Sequence, residues 1–469
     1  MAAFRSKRNP FFASRYIIIF IILGAIISAD AILGRKKKKK KQEAEFAAQK
    51  AAEETARKEK VIVLGGKDFE KKSVYVLGCG TFLALSVGFF LSSGIKKKKR
   101  GNNDVDGTLD VVIVGCGLPK KGMGWYHLTQ LLEMKQVNVR AVVEPFYLNK
   151  KVCKDIPNSF KELMVSLHES GVECVADINK LVPFSKATLC LIAGRTSDNP
   201  ALFRQCVHKG ASVIYLEKPG APSVRELNDM KALAETQSVK TYIGYNKNVT
   251  PYVQKAIELS QKVDNSHVFF CHNNSYSQAD LPEVFARNPE GMLKNMVIHE
   301  LALLVTFFGV TVDVIEKFEV NTRKLFSEKI TTWKPGTSMP NPEYITDFSR
   351  VAFLIKTKKG REVSVMADRC GGNVSFAVVK DAKRREIKKF EFPDTDTARR
   401  VEEQVRADPE MMPYFFIQSD DYLELKNRVI NATLAGKDAE GVATISIGIE
   451  ALKLAEYGTA EINKALKSS

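Results

Sequence analysis

The chain has 469 residues, 45% hydrophobic and 27% charged, which are globular values for a length that holds two or three domains. Its net charge is +17, but residues 1–107 carry 23 Lys and Arg against 10 Asp and Glu, a net of +13, which leaves only +4 for the remainder. With the basic excess confined there, and no zinc-finger spacing, helix-turn-helix signal or aromatic-interleaved basic strand downstream, nucleic-acid binding is set aside.

Two apolar runs occupy the N-terminal segment. Tyr16–Leu33 is apolar apart from Ser28 and Asp30, and Ser73–Ile95 runs 23 residues without a charge between Lys71-Lys72 and Lys96–Arg100. A helix needs about 20 apolar residues to cross a bilayer, so the second run is long enough to span. Residues 1–107 are therefore read as a membrane-anchoring and basic linker region whose partner is membrane lipid. The first run is either a second anchor or the core of a cleaved signal near Ala29-Asp30-Ala31. Val76–Gly80 imitates a nucleotide-binding turn, but an uncharged run follows it instead of an amphipathic helix. Residues 42–60 read as a solvated helix or spacer.

From residue 109 buried strands alternate with helical patterns. Strands are expected at Leu109–Val114, Val137–Glu144, Thr188–Ala193, Ser212–Leu216 and Thr241–Tyr245, and helices near 123–134, 158–170, 199–209 and 223–237. Such alternation predicts an α/β domain over 108–245, a doubly wound parallel sheet of Rossmann type.

The first strand runs into Gly115-Cys116-Gly117, with Gly122 and Gly124 before the helix. Glycines there let a dinucleotide's pyrophosphate sit against bare backbone at a helix N-terminus. The loop departs from G-x-G-x-x-G, because the sixth position is Lys120, and it reads as lengthened. Glu144 ends the second strand, where a carboxylate accepts from ribose hydroxyls and repels a 2′-phosphate. That favours NAD, while Lys150 and Lys151 nearby keep NADP open. Ala193, Gly194 and Arg195 follow the strand at the ligand crevice; Arg195 either meets a phosphate or is solvated.

Two stretches carry candidate chemistry. Glu217-Lys218-Pro219 closes a strand beside the expected nicotinamide, where the Lys218 ammonium could bond a substrate oxygen as hydride moves. Asn295 and His299 are four residues apart, which on one helix puts them on one face. Histidine suits a general base because its pKa lies near neutrality. The other histidines, 127, 168, 208, 267 and 272, have no comparable setting in the sequence.

From about 246 onward the pattern changes. Val268–Cys271, Val351–Ile355, Glu362–Ala367 and Ser375–Val379 read as strands, and helices are expected near 292–308, 421–434 and 440–457. Phe326–Asp347, with Trp333 and three prolines, reads as a long loop. Asp368-Arg369 follows a strand and is a candidate to reach the pocket. The eight cysteines form no C-x-x-C pair and read as small core residues of a reduced compartment, and no metal-ligand cluster is predicted.

These ordered motifs resemble the glucose–fructose oxidoreductase, inositol dehydrogenase and MocA family over residues 109–469. The resemblance rests on VVIVGCG at 111–117 leading to Gly124 and His127, ATLCLIAG at 187–194, ASVIYLEKPGAPSVRELNDM at 211–230, GYNKNVTPYV at 244–253, NMVIHELALLVTFFG at 295–309 and DDYLELKNRVINATLAG at 420–436. It implies a Rossmann domain followed by an α+β domain, residues 246–469, with a large, mostly antiparallel sheet that often forms a homo-oligomer interface. It also implies reversible hydride transfer between a nicotinamide and a sugar or polyol carbon, with Lys218 and His299 in the family's catalytic positions.

Asn295 stands where the family usually has aspartate; an amide orients a ligand but cannot stabilise an imidazolium. Ser197-Asp198-Asn199 likewise replaces the usual Pro-Asn and following His. The expectation is thus a membrane-tethered NAD-dependent dehydrogenase or reductase, the alternative being a catalytically weak NAD-binding scaffold or sensor at a membrane. Unpaired cysteines and Lys96–Arg100 favour an endomembrane with the catalytic domain facing the cytosol, against which Lys36–Lys41 pulls if both runs span.

Overall fold

The computed structural model describes residues 107–337 and 343–468. The apolar runs 16–33 and 73–95, the spacer 42–60 and the imitation turn at 76–80 lie outside the described residues. Among those described, no helix is long and apolar enough to cross a membrane. The described residues form one compact unit built around two sheets.

The first half runs β1 (Leu109–Val114), α1 (Met123–Glu133), β2 (Val137–Val143), α2 (Asn158–Glu169), β3 (Glu173–Val175), β4 (Thr188–Ile192), α3 (Asn199–His208), β5 (Val213–Leu216), α4 (Val224–Thr236) and β6 (Lys240–Ile243). The strands form a six-stranded sheet in the order β3-β2-β1-β4-β5-β6, and every pairing is parallel. Five of the six were legible as apolar runs. β3 was not: it is only three residues, Glu-Cys-Val, too short to show a period.

Parallel strands bury both faces, and the side chains divide accordingly. Val112, Val114, Cys190, Ile192, Ile214 and Leu216 join one hydrophobic cluster, while Val111, Ile113, Leu189, Leu191, Val213 and Tyr215 join another.

The second half runs α5 (Pro251–Gln261), β7 (His267–Asn273), α6 (Leu281–Arg287), α7 (Met292–Asn295), α8 (Ile298–Phe308), β8 (Ile315–Val320), β9 (Glu328–Trp333), β10 (Tyr344–Thr357), β11 (Glu362–Asp368), β12 (Ser375–Lys380), β13 (Glu386–Phe392), α9 (Thr395–Ala407), α10 (Pro413–Ile417), α11 (Ser419–Leu434) and α12 (Ile445–Ser468). Its seven-stranded sheet has the order β13-β12-β7-β11-β10-β8, with β9 also on β10. Only β7 and β11 pair in parallel.

Two expectations are corrected here. Phe326–Asp347 is not a long loop, because β9 and the start of β10 pair antiparallel within it, from Tyr344 opposite Trp333 to Phe348 opposite Lys329. The β-branched Ile330, Thr331 and Thr332 suit the strand, whose burial alternates along Glu328–Trp333, and Pro335 falls after its end. The helix expected near 292–308 is two helices, broken at Met296-Val297.

The cluster on one face of the first sheet continues beneath the second through Val268, Phe270, Val351, Phe353 and Val365. α12 packs on α8 of the second half and on α4 of the first, so the C-terminal helix binds the two sheets together. α11 closes the opposite face, placing Tyr422, Leu425, Val429 and Ile430 in the second cluster. The seven described cysteines are free, and Cys79 lies outside the described residues.

Candidate active site

Residues just past the ends of the parallel strands gather at one edge of the sheet. The amides of Gly115, Glu144, Ala193, Glu217 and Gly244 each prolong a strand ladder, donating to Val143, Val175, Val114, Ile192 and Leu216 at 2.8–2.9 Å. Five sequence-distant segments thereby present their next side chains along one crevice, where open α/β sheets bind ligands.

The glycines fill distinct roles. An added Cβ on Gly124 would lie 1.8 Å from the Gly115 carbonyl oxygen, so only glycine lets α1 approach the end of β1. Gly115, at φ +85°, would meet the Gly194 backbone at 2.8 Å, and Gly122 is the N-cap of α1. No acidic residue stands in the first turn of α1, whose amides face the crevice with the helix dipole's positive end. The lengthened loop is tied down, since Lys120 Nζ reaches Asp408 at 2.9 Å and Glu410 at 3.4 Å.

Glu144 is 3% exposed and its carboxylate is held by backbone: Gly117 N–H donates to Oε2 at 2.7 Å and Phe146 N–H to Oε1 at 3.0 Å. Gly117 thus serves the carboxylate, which is held fixed just after β2. Arg195 is exposed, with its guanidinium 5.9 Å from the Phe146 ring.

Lys218, half-buried after β5, donates from Nζ to the Asn295 carbonyl at 2.8 Å. In an unbroken helix that carbonyl would accept from the His299 amide, so the break between α7 and α8 falls where Lys218 takes it. Asn295 Nδ2 donates to Asn288 Oδ1 at 2.9 Å, which turns this side chain to a neighbouring turn. His299 is 8% exposed, and its buried Nδ1 has no hydrogen-bond partner. Burial, then the Lys218 and Lys247 cations, hold its pKa well below the usual histidine value, so it is a neutral proton acceptor at physiological pH. Burial lowers the Lys218 pKa against Glu217 and Glu290, which favour its cation.

Three groups around this centre have partners that the sequence reading did not give. Glu300, 1% exposed, pairs with Lys247 and accepts from His272 Nδ1 at 3.0 Å, and the His272 and His299 rings lie 6.3 Å apart. An acid within the mostly apolar Val297–Phe308 stretch was the signal for it. Second, His127 is fully buried, with Nε2 2.8 Å from Glu217 Oε1 and Nδ1 3.0 Å from Lys426 Nζ. With Lys426 as the ammonium, which only donates, Nδ1 accepts and Nε2–H points at Glu217. Burial pushes the Lys426 pKa down to about 7, and burial with the Lys426 charge brings His127 to about 4. His127 therefore does have a special setting, contrary to the expectation; α1 places it there, and only the fold brings Lys426 from α11.

Third, Arg369, 1% exposed, bonds Asp347 Oδ2 at 2.7 Å while Asp347 Oδ1 accepts from the Met292 amide at 3.1 Å. Arg369 thus braces the start of α7, whereas Asp368 Oδ1 caps the Cys370 amide. Among the described residues no cluster of His, Cys, Asp or Glu could hold a metal ion.

Comparison with known proteins agrees with this geometry. Residues 109–245 match the family model GFO_IDH_MocA, the oxidoreductase family with an NAD-binding Rossmann fold. Similar solved structures include myo-inositol 2-dehydrogenase from Lactobacillus plantarum (14% identity, TM-score 0.52, 76% of this chain and 98% of that one). Apo scyllo-inositol dehydrogenase from Lactobacillus casei (14%, TM-score 0.51, 76% and 97%) and a myo-inositol dehydrogenase from Corynebacterium glutamicum (15%, TM-score 0.51, 76% and 97%) are further examples. At these identities the likeness is one of fold. No curated protein matches the sequence. The residues present fit NAD: a glycine that admits no Cβ, a helix N-terminus free of acids and a fixed carboxylate after β2.

Proposed function

We propose, from the membership of residues 109–245 in the GFO_IDH_MocA oxidoreductase family, that the chain transfers hydride between NAD and a hydroxyl or carbonyl carbon of a sugar or polyol. Gly115, Gly122, Gly124 and the first-turn amides of α1 hold the pyrophosphate, and Glu144 takes the ribose hydroxyls and disfavours a 2′-phosphate. Ala193, Gly194 and Arg195 border the crevice, and Glu217 sits beside the nicotinamide end. When bound, the nicotinamide supplies the hydride acceptor or donor. Lys218 has two N–H groups left after Asn295 and donates to the reacting oxygen, stabilising negative charge as it develops. Neutral His299 takes the hydroxyl proton at Nδ1 in the oxidation direction and returns it in reduction.

The observation that carries this reading is a half-buried ammonium docked on the Asn295 carbonyl near an unpartnered, neutral His299. The second reading, a catalytically weak NAD-binding protein, draws on the Asn295 amide being turned to Asn288. A titration of the full chain with NADH tests both. The expected result is saturable binding, lost in Gly124→Val, with turnover on a panel of neutral sugars and polyols. Binding without turnover selects the second reading, and no binding rejects both.

We further infer that residues 1–107 tether this enzyme to an endomembrane, with its described domains in the cytosol. The lysine-flanked apolar runs and the free cysteines support this. Protease added to intact microsomes should then degrade residues 102–469; protection until detergent is added would reverse the orientation, and extraction by alkaline carbonate would reject the tether.

A further inference from the structure

One end of the second sheet carries charge that the rest of the folded body lacks. The turn joining β10 to β11 (358–361), the turn joining β12 to β13 (381–385) and the starts of β7 and β8 all lie there. Glu362 and Lys380 both stand opposite His267, and Thr357 stands opposite Ile315. Residues 262–266, 313–319, 356–362 and 380–389, which make up this end, hold twelve Lys and Arg against seven Asp and Glu, a net of +5. Residues 108–469 as a whole carry +4, so all the others together come to −1.

The excess is not used up in ion pairs. Arg384, Arg385 and Lys389 meet Glu362, Asp381 and Glu391. Lys359, Arg361, Lys383 and Lys388 are exposed and, among the described residues, pair with no acid. Ile387, 44% exposed, stands among them. Lysine on an edge strand guards against edge-to-edge pairing, which accounts for Lys388 on β13. That does not account for Lys358, Lys359 and Arg361, whose hairpin lies inside the sheet between β7 and β8. The far end of the same strands leads to the site: β7 runs on to His272, which donates to Glu300. At about 3.3 Å per residue, the seven residues of β7 set the two ends about 20 Å apart.

We propose that this end of the sheet docks on an anionic phospholipid bilayer, with Ile387 in the interfacial layer and the two basic turns against the headgroups. This rests on the tethered, cytosolic reading above, which sets the body beside the leaflet that carries anionic lipid. Each Lys or Arg near such a surface raises partition by about fivefold, an effect that salt screens. Nucleic acid fits less well. Among the described residues of this end the exposed large apolar side chain is Ile387, and no exposed ring offers a base a stacking surface. Docked this way, the crevice opens on the far side, toward a water-soluble substrate.

The test inserts the full chain into preformed vesicles of phosphatidylcholine, with or without about 30% phosphatidylserine. An amine-reactive label read by mass spectrometry then reports the exposure of each lysine. Phosphatidylserine is expected to slow labelling of Lys359, Lys383 and Lys388 by about fivefold or more relative to Lys161 on α2, and about 0.5 M NaCl should restore it. Arg361→Glu combined with Arg385→Glu should abolish the protection, with an unchanged far-UV circular dichroism spectrum showing that the variant folds. Equal labelling in the two kinds of vesicle overturns the docking surface, as does protection that survives the charge reversal. Protection by single-stranded RNA instead of phosphatidylserine would assign the surface to nucleic acid. A full chain that fails to float with phosphatidylcholine vesicles rejects the tether, and phosphatidylserine vesicles added to that chain still decide the docking by the same lysines.

Discussion

Glu300→Ala is expected to destabilise the protein by about 3–5 kcal/mol, because it strands the Lys247 ammonium in the interior. Glu300 is 1% exposed and Lys247 9% exposed, so water does not replace the lost partner. Against a total stability on the order of 5–15 kcal/mol, this leaves a large unfolded fraction. Much of the cost belongs to the uncompensated charge, so adding Lys247→Met should restore part of the loss, and a urea titration of the single and double variants measures it. No recovery in the double variant would mean that Glu300 acts by packing alone.

The same cluster predicts how acid unfolds the protein. Burial by itself raises the Glu300 pKa, but His272 and Lys247 outweigh it and hold the carboxyl below the ordinary range. A carboxyl depressed in the folded state gives stability that is complete above its unfolded pKa, about 4.3, and is lost as pH falls through the folded value. His127 works in a higher window. Its folded pKa of about 4 means that the unfolded chain takes up the proton first, so stability falls as pH drops from about 6.5 toward 4.

Lys218→Met is expected to lower kcat by about a thousandfold while changing NADH affinity by no more than about twofold. Methionine keeps the length of the stem but removes the donor to the reacting oxygen. It also leaves the Asn295 carbonyl without the Nζ that holds it at 2.8 Å, so a stability loss of about 0.5–1.5 kcal/mol accompanies the kinetic effect. Stopped-flow measurement with a turned-over polyol separates the two. A variant that turns over normally would remove Lys218 from the chemistry, and one that loses NADH binding equally would make it a cofactor ligand only.

The first sheet was legible because parallel strands leave long apolar runs and each run ended in a chemically distinctive residue: Gly115, Glu144, Ala193 or Glu217. Lys218, Asn295 and His299 were legible as motifs, and the structure brings Lys218 to the Asn295 carbonyl. How they meet was not legible, because the Asn295 carbonyl at the break is bonded by a residue 77 positions away. Contacts such as His127 with Lys426, 299 residues apart, carry no local period at all. β9 was obscured by the prolines after it and because Glu-Lys-Ile-Thr-Thr-Trp shows no polar–apolar alternation; only its burial alternates.

The most direct measurement is an experimental structure of the full chain with NADH. The pyrophosphate should lie at the N-terminus of α1 by Gly122 and Gly124, with the nicotinamide ring against Lys218. A dinucleotide bound elsewhere, or a ring turned away from that ammonium, would contradict the account.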